Sequence, residues 1–194
     1  MSRLHPGFLA VVLTAALALS GVTTSSAQQP AARYSAVAVD MLSPGAGAGT
    51  FPVNIVINRW STQEEEDRLV AILLEQGPDA LLTAMQKWPP VGSVAPTGGV
   101  GFDIRFAVLT HRDNGLDEVM ALTDRPMSFL ERRAAGRSTD YPFTLIQMQT
   151  KPSGDGEGQI SIAARLRIDK VNRTLVIDNF TDQPIMLRGL KREQ

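Results

Sequence analysis

Apolar and polar residues alternate over most of the chain, and a period of two predicts strands. The clearest run sets Val100, Phe102, Ile104, Phe106 and Val108 on one side and Gly101, Asp103, Arg105, Ala107 and Leu109 on the other. Tyr34 to Met41, Pro52 to Arg59, Glu118 to Thr123, Phe143 to Thr150 and Gln159 to Asp169 read the same way. In the last of these, Ile160, Ile162, Leu166 and Ile168 are expected to face together, and two shorter strands follow near Leu175 to Asp178 and Ile185 to Arg188. Asp113-Asn114-Gly115 predicts a tight hairpin, because Asn and Gly accept the positive φ angles of a two-residue turn. The glycine- and proline-rich stretches Ser43 to Thr50 and Val91 to Gly99 read as loops.

After Trp60 the period becomes helical. Ser61-Thr62-Gln63-Glu64 has the form of a capping box, with Ser61 as the cap and Glu64 reaching back to it. The acids that follow, Glu64 to Asp67, suit the positive end of a helix dipole. Leu69, Ile72 and Leu73 form the apolar stripe, Gly77 stops the helix and Pro78 starts another. Leu81, Leu82, Met85 and Trp88 continue at helical spacing until Pro89-Pro90, so a helical hairpin is expected from Thr62 to Trp88. A further short helix is expected from Met127 to Ala134. Strands joined by short turns indicate antiparallel neighbours. The fold class is α+β: a mainly antiparallel, curved sheet of about seven or eight strands with an inserted helical hairpin, the alternative being a partly closed β-barrel.

Such a sheet presents about 670 Å² on one face, of which two short helices cover about 360 Å². The surplus apolar face must curl on itself, hold an apolar ligand, or meet a partner.

The apolar stretch from Phe8 to Val22 belongs to a different pattern. It follows a lone Arg3 and ends in Thr23-Thr24-Ser25-Ser26-Ala27, the arrangement of a secretory signal peptide cut between Ala27 and Gln28. It is shorter than the ~20 residues of a bilayer-spanning helix. Neither a cysteine for lipid attachment nor twin arginines accompany it. Residues 28–194 are therefore expected to form a single domain, periplasmic or secreted, with no integral membrane segment after cleavage.

Composition narrows the chemistry. With 43% hydrophobic and 20% charged residues the chain is of globular type. It has no cysteine, which removes disulfides, thiol catalysis and thiolate metal sites. Loss of the leader takes Arg3 and His5, so that 18 of the 19 basic residues stand against 20 acidic ones and His111 is the sole histidine. No nucleic acid, metal or cofactor is expected, since basic runs and histidine clusters are both lacking.

Candidate side chains remain. Glu64 to Asp67 reads as a solvated first turn rather than a cation site, because consecutive helical residues diverge. His111, beside the Asn-Gly turn, reads as a surface residue. Asp103 and Arg105 lie opposite the apolar row, and if their strand paired with that of Arg165 and Arg167 the four would make a water-facing side with cross-strand ion pairs or, in the sharper reading, an anion-binding face. Asp103, Asp124, Asp140 and Asp169 are the carboxylates available to a hydrolase. Asp124, Arg125, Asp140 and Tyr141 flank turns where sites are often built.

Arg59-Trp60-Ser61-Thr62, Gly101-Phe102-Asp103-Ile104-Arg105, Thr123-Asp124-Arg125-Pro126 and Asp140-Tyr141-Pro142-Phe143 together resemble a group of exported bacterial proteins of unknown function. The resemblance spans most of the mature chain. It implies a bacterial exported protein and carries over no mechanism or ligand.

The functional reading is a non-catalytic module holding a small apolar or amphipathic ligand between sheet and hairpin, lined by Phe102, Ile104, Phe106, Leu81 and Met85. Asp103, Arg105, Asp124, Arg125 and Tyr141 are its polar candidates. The alternatives are a protein-interaction or structural role, with the same surface buried in a homodimer or an envelope partner, and a carboxylate-based hydrolase. Mass spectrometry of the mature protein is expected to find Gln28 at the N-terminus; a product retaining Arg3 would contradict the leader.

Overall fold

The computed structural model describes residues 31–40, 49–125, 142–169, 174–179 and 184–193. Its elements are β1 (Ala32–Val39), β2 (Thr50–Ile57), α1 (Gln63–Glu75), α2 (Pro78–Met85), β3 (Gly92–Pro96), β4 (Phe102–His111), β5 (Asp117–Thr123), β6 (Phe143–Thr150), β7 (Asp155–Asp169), β8 (Thr174–Asn179) and β9 (Ile185–Glu193). The leader, the segment Met127 to Ala134, Asp140 and Tyr141 lie outside the described residues.

Strands β1 to β6 pair in chain order, every pair antiparallel. One edge of β7 takes β6, and its other edge takes β9 over Asp155–Ile160 and β8 over Ala164–Asp169. Because β9 also pairs with β1, eight strands close into a barrel. The alternative architecture is thus the one adopted, and the apolar surplus expected of an open sheet is consumed by closure.

The inward row includes Tyr34, Ile55, Val94, Ile104, Ala121, Ile146, Ile160 and Leu187, all at most 2% exposed. β1 contributes mainly alanines, Ala32, Ala36 and Ala38, while Val37 points outward and is exposed. An eight-stranded barrel is just wide enough for its side chains to fill, which favours small residues on one wall facing large ones on another.

The helical hairpin packs on the outside of the barrel. Leu69, Leu73, Leu81 and Met85 meet Phe106, Leu122, Phe143, Leu145, Ala164 and Leu166 in a second core. Gly77 at φ 85° and Pro78 at the first helical position make the bend between the helices, as the sequence indicates.

Two cores require strands that change sides, and this corrects the simple alternation. In β4 the register with β5 shifts between Ile104 and Phe106, so Phe102 and Ile104 face the barrel interior while Phe106 faces the helices. β7 shifts against β6 opposite Phe143 and Leu145; Ile160 and Ile162 point inward and Leu166 joins the helical core. The side chain of Ile168 lies outside the described part. A bulge adds one residue to one strand, which reverses every side chain beyond it.

Ser61 occupies the gap that the β4 bulge leaves. Its amide donates to Ala107 O at 2.7 Å and its hydroxyl accepts from Ala107 N at 3.0 Å, extending the β4 edge beyond the end of β3. Thus engaged, Ser61 is not the helix cap. Thr62 takes that place, accepting from Glu65 N at 3.2 Å while Glu65 accepts from Thr62 N at 2.9 Å, one residue later than the sequence reading. The stretch read as a loop holds β3, because Gly92 lets β2 come close: a Cβ there would lie 2.2 Å from Val56 O. Among the described residues no helix is long and apolar enough to cross a membrane.

Glu65 also binds Arg59 through both oxygens, each at 2.8 Å. That hydrogen-bonded guanidinium holds the Glu65 carboxyl below its ordinary value. The charge pair therefore contributes above the unfolded carboxylate pKa and is lost as pH falls through the lowered folded value. Glu65→Gln keeps the cap and is expected to cost roughly 0.2–1 kcal/mol at neutral pH. In denaturant titrations the difference from wild type should vanish at acid pH; a pH-independent difference would contradict this account.

Candidate functional site

At the β4 bulge the structure gathers five of the side chains singled out by sequence. Arg105 binds Asp124 (Nε to Oδ2, 3.1 Å), Asp103 (Nη2 to Oδ2, 3.1 Å) and the carbonyl of Trp88 (Nη1, 2.9 Å). Its side chain is 16% exposed and that of Asp124 is 10% exposed. Arg125, next in the chain, stacks over Phe102 with 5.3 Å to the ring centre. The guanidinium ties the turn that follows α2 to β4 and to the residue just after β5. Both carboxylates are committed to one cation, so they do not face each other across a space where substrate would sit.

The remaining candidates separate. Phe106, Leu81 and Met85 close tightly in the helical core at 1% exposure or less, whereas Phe102 and Ile104 belong to the barrel interior. Tyr141 and Asp140 lie outside the described residues, as does the side chain of Asp169. Arg165 and Arg167 are exposed on β7, which pairs with β6, β8 and β9 and not with β4, so the anion-binding face of four charged residues is not assembled. His111 is 76% exposed at its side chain, with Nδ1 2.6 Å from Asp117 Oδ1. Among the described residues no three of His, Asp and Glu are grouped to hold a metal ion.

A cavity among the described residues lies elsewhere, on the outer wall of the barrel beside the first turn of α1. It measures about 490 Å³ and is walled by Glu66 of α1, Arg112 just beyond β4, Glu118 of β5, Gln147 and Gln149 of β6, and Glu157 and Gln159 of β7. Val108, Met120 and Met186 supply its apolar surface. These residues converge because β4 to β7 and β9 are neighbours in the closed ring and each presents alternate residues outward.

Hydrogen bonds fix the polar wall. Gln159 Nε2 donates to Gln147 Oε1 at 2.8 Å, and Gln149 Nε2 donates to Glu118 Oε1 at 2.8 Å. Arg112 Nε donates to the other Glu118 oxygen at 2.7 Å. Hydrogen bonding to Arg112 holds the Glu118 carboxyl below its ordinary value and in turn raises the Arg112 guanidinium.

Sequence reasoning passed over this cleft because it attended to the apolar sides of the strands. The available signal was on the other side: Gln147 and Gln149 alternate along one expected strand and Gln159 opens the next, while Glu157 precedes that expected start because β7 begins at Asp155. Comparison with known protein families, with curated proteins and with solved structures finds no match.

Arg105 is expected to act as a structural brace. Arg105→Met leaves the Asp124 carboxylate buried without its cation and should lower the unfolding free energy by roughly 3–5 kcal/mol. A variant as stable as wild type in chemical denaturation would refute this role.

Proposed function

We propose that this chain is a non-catalytic binding protein whose outer cleft takes a small amphipathic molecule bearing a positive charge. The observation that carries this reading is the make-up of the cleft. Three carboxylates from three separate elements, Glu66, Glu118 and Glu157, stand against one guanidinium, Arg112, above the thioethers of Met120 and Met186. An excess of negative charge attracts a cation, and methionine adapts its flexible side chain to an apolar tail. A volume of about 490 Å³ falls in the range of small-molecule sites. The bonded Gln147–Gln159 pair offers a pre-set hydrogen-bonding surface, which limits the ordering cost on binding.

The leader ending at Ala27 and the resemblance to exported bacterial proteins support a place outside the cytoplasm, in the periplasm or the medium. The small-ligand reading of the sequence is kept, and its location moves from beneath the hairpin to the barrel wall. A homodimer burying this surface is the competing reading, and native mass spectrometry separates the two.

Calorimetric titration with decylamine, decanol and decanoate is the direct test. The amine should bind most tightly and decanoate least. Glu157→Gln and Glu66→Gln should each weaken the amine several-fold, and Met120→Arg should abolish binding by the folded protein. Equal affinity for amine and carboxylate, amine binding untouched by Met120→Arg, or a stable ligand-free dimer would overturn the proposal.

A further inference from the structure

Two buried hydroxyls point to a second site, inside the barrel. Tyr34 and Thr150 are each 1% exposed, and Tyr34 Oη and Thr150 Oγ1 have no hydrogen-bond partner among the described residues. Buried polar groups are paired in nearly all folded proteins, so two at one end of a barrel call for a cause.

Both belong to the same neighbourhood. Tyr34 stands opposite Arg192 across β1 and β9, and Thr150 stands opposite Asp117 across β6 and β5. Arg192 Nη1 lies 3.3 Å from Asp117 Oδ2, so one ion pair joins the partners of the two hydroxyls. Gly156, which pairs with Thr150 on one edge and Leu190 on the other, adds no side chain between them. Burial raises the Tyr34 hydroxyl above its ordinary value, with Arg192 opposing and Asp117 adding to the shift, so both ends of the ion pair act on this hydroxyl. It is a neutral donor and acceptor.

We propose that Tyr34, Thr150, Arg192 and Asp117 form an internal site for a small neutral molecule that both donates and accepts hydrogen bonds: a water, or the hydroxyl end of a short alcohol. The guest is neutral because Asp117 is already engaged by Arg192 and His111, and an ionic guest would compete with one of these contacts. It is small because the interior beyond is packed with apolar side chains at most 6% exposed. A polar site that offers two hydroxyls and further donors meets the two to four partners such a guest requires. This site faces the inside of the wall whose outside carries the cleft, and it stands independently of the cleft's ligand.

The sign of a conservative substitution decides the matter. If the hydroxyls serve no guest, Tyr34→Phe and Thr150→Val remove an unpaired buried group and raise or leave unchanged the thermal midpoint of the full chain. If they share one, each lowers the midpoint by about 2–4 °C, and the double variant loses less than the sum. A rise or no change in either variant, or strict additivity, overturns the proposal. The source of the guest is read on wild type, which needs no variant to fold. Magnetisation transfer from solvent to the Thr150 amide identifies a water. A midpoint raised by millimolar 1-propanol in wild type but not in Tyr34→Phe identifies an alcohol. Failure of both also overturns the site.

Discussion

The register break in β4 between Ile104 and Phe106 is the constraint on which the architecture rests. A strand of unbroken alternation would send Phe102, Ile104 and Phe106 to one face, and a barrel wall with one apolar face supports one core. The break divides them between two, the barrel interior and the seat of the helical hairpin. It is stabilised from both sides. Ser61 completes the backbone pairing that β3 leaves unfinished, and Arg105, carried by the bulge itself, grips Asp124 and the carbonyl that ends the helical segment. A bulge with unpaired backbone groups would be costly; here the same few residues pair the backbone and anchor the hairpin.

This arrangement explains what was legible in the sequence. Local signals were sufficient for most of the strands, for the bend at Gly77-Pro78 and for the place of the hairpin after β4, although its loop holds three residues, Asp113 to Gly115, between the bonded Arg112 and Leu116 rather than two, with Gly115 at φ 79°. Closure was legible only as a surplus of apolar surface, because the pairing of β9 with β1 joins residues at opposite ends of the domain and leaves no local mark. Bulges were illegible for a related reason. Phe106 and Ala107 are both buried, and nothing in their order tells which belongs to which core. β3 was missed because Gly92, Ser93 and Pro96 read as turn residues, although the glycine serves close approach of the neighbouring strand.

The candidate site shows the same limit. The apolar residues named as a lining form the packed centres of the two cores, since burial alone does not separate a core residue from one lining a ligand. The charged pair Asp103 and Arg105 was correctly grouped on the strand, yet its partner Asp124 lies just beyond β5 and its effect is to brace the fold. The cleft combines residues as far apart as Glu66 and Met186, and only the closed ring makes them neighbours.

The union of β1 with β9 also orders events in time. Ala32–Val39 cannot complete its hydrogen bonding on both edges until Ile185–Glu193 has been made, so the ring is unfinished until nearly the whole domain is available. Pairings of such long sequence separation must meet the loss of chain entropy before they repay it, and barrels of this kind gain their structure late and comparatively slowly. During synthesis the β1–β9 seam is therefore the pairing that must wait longest.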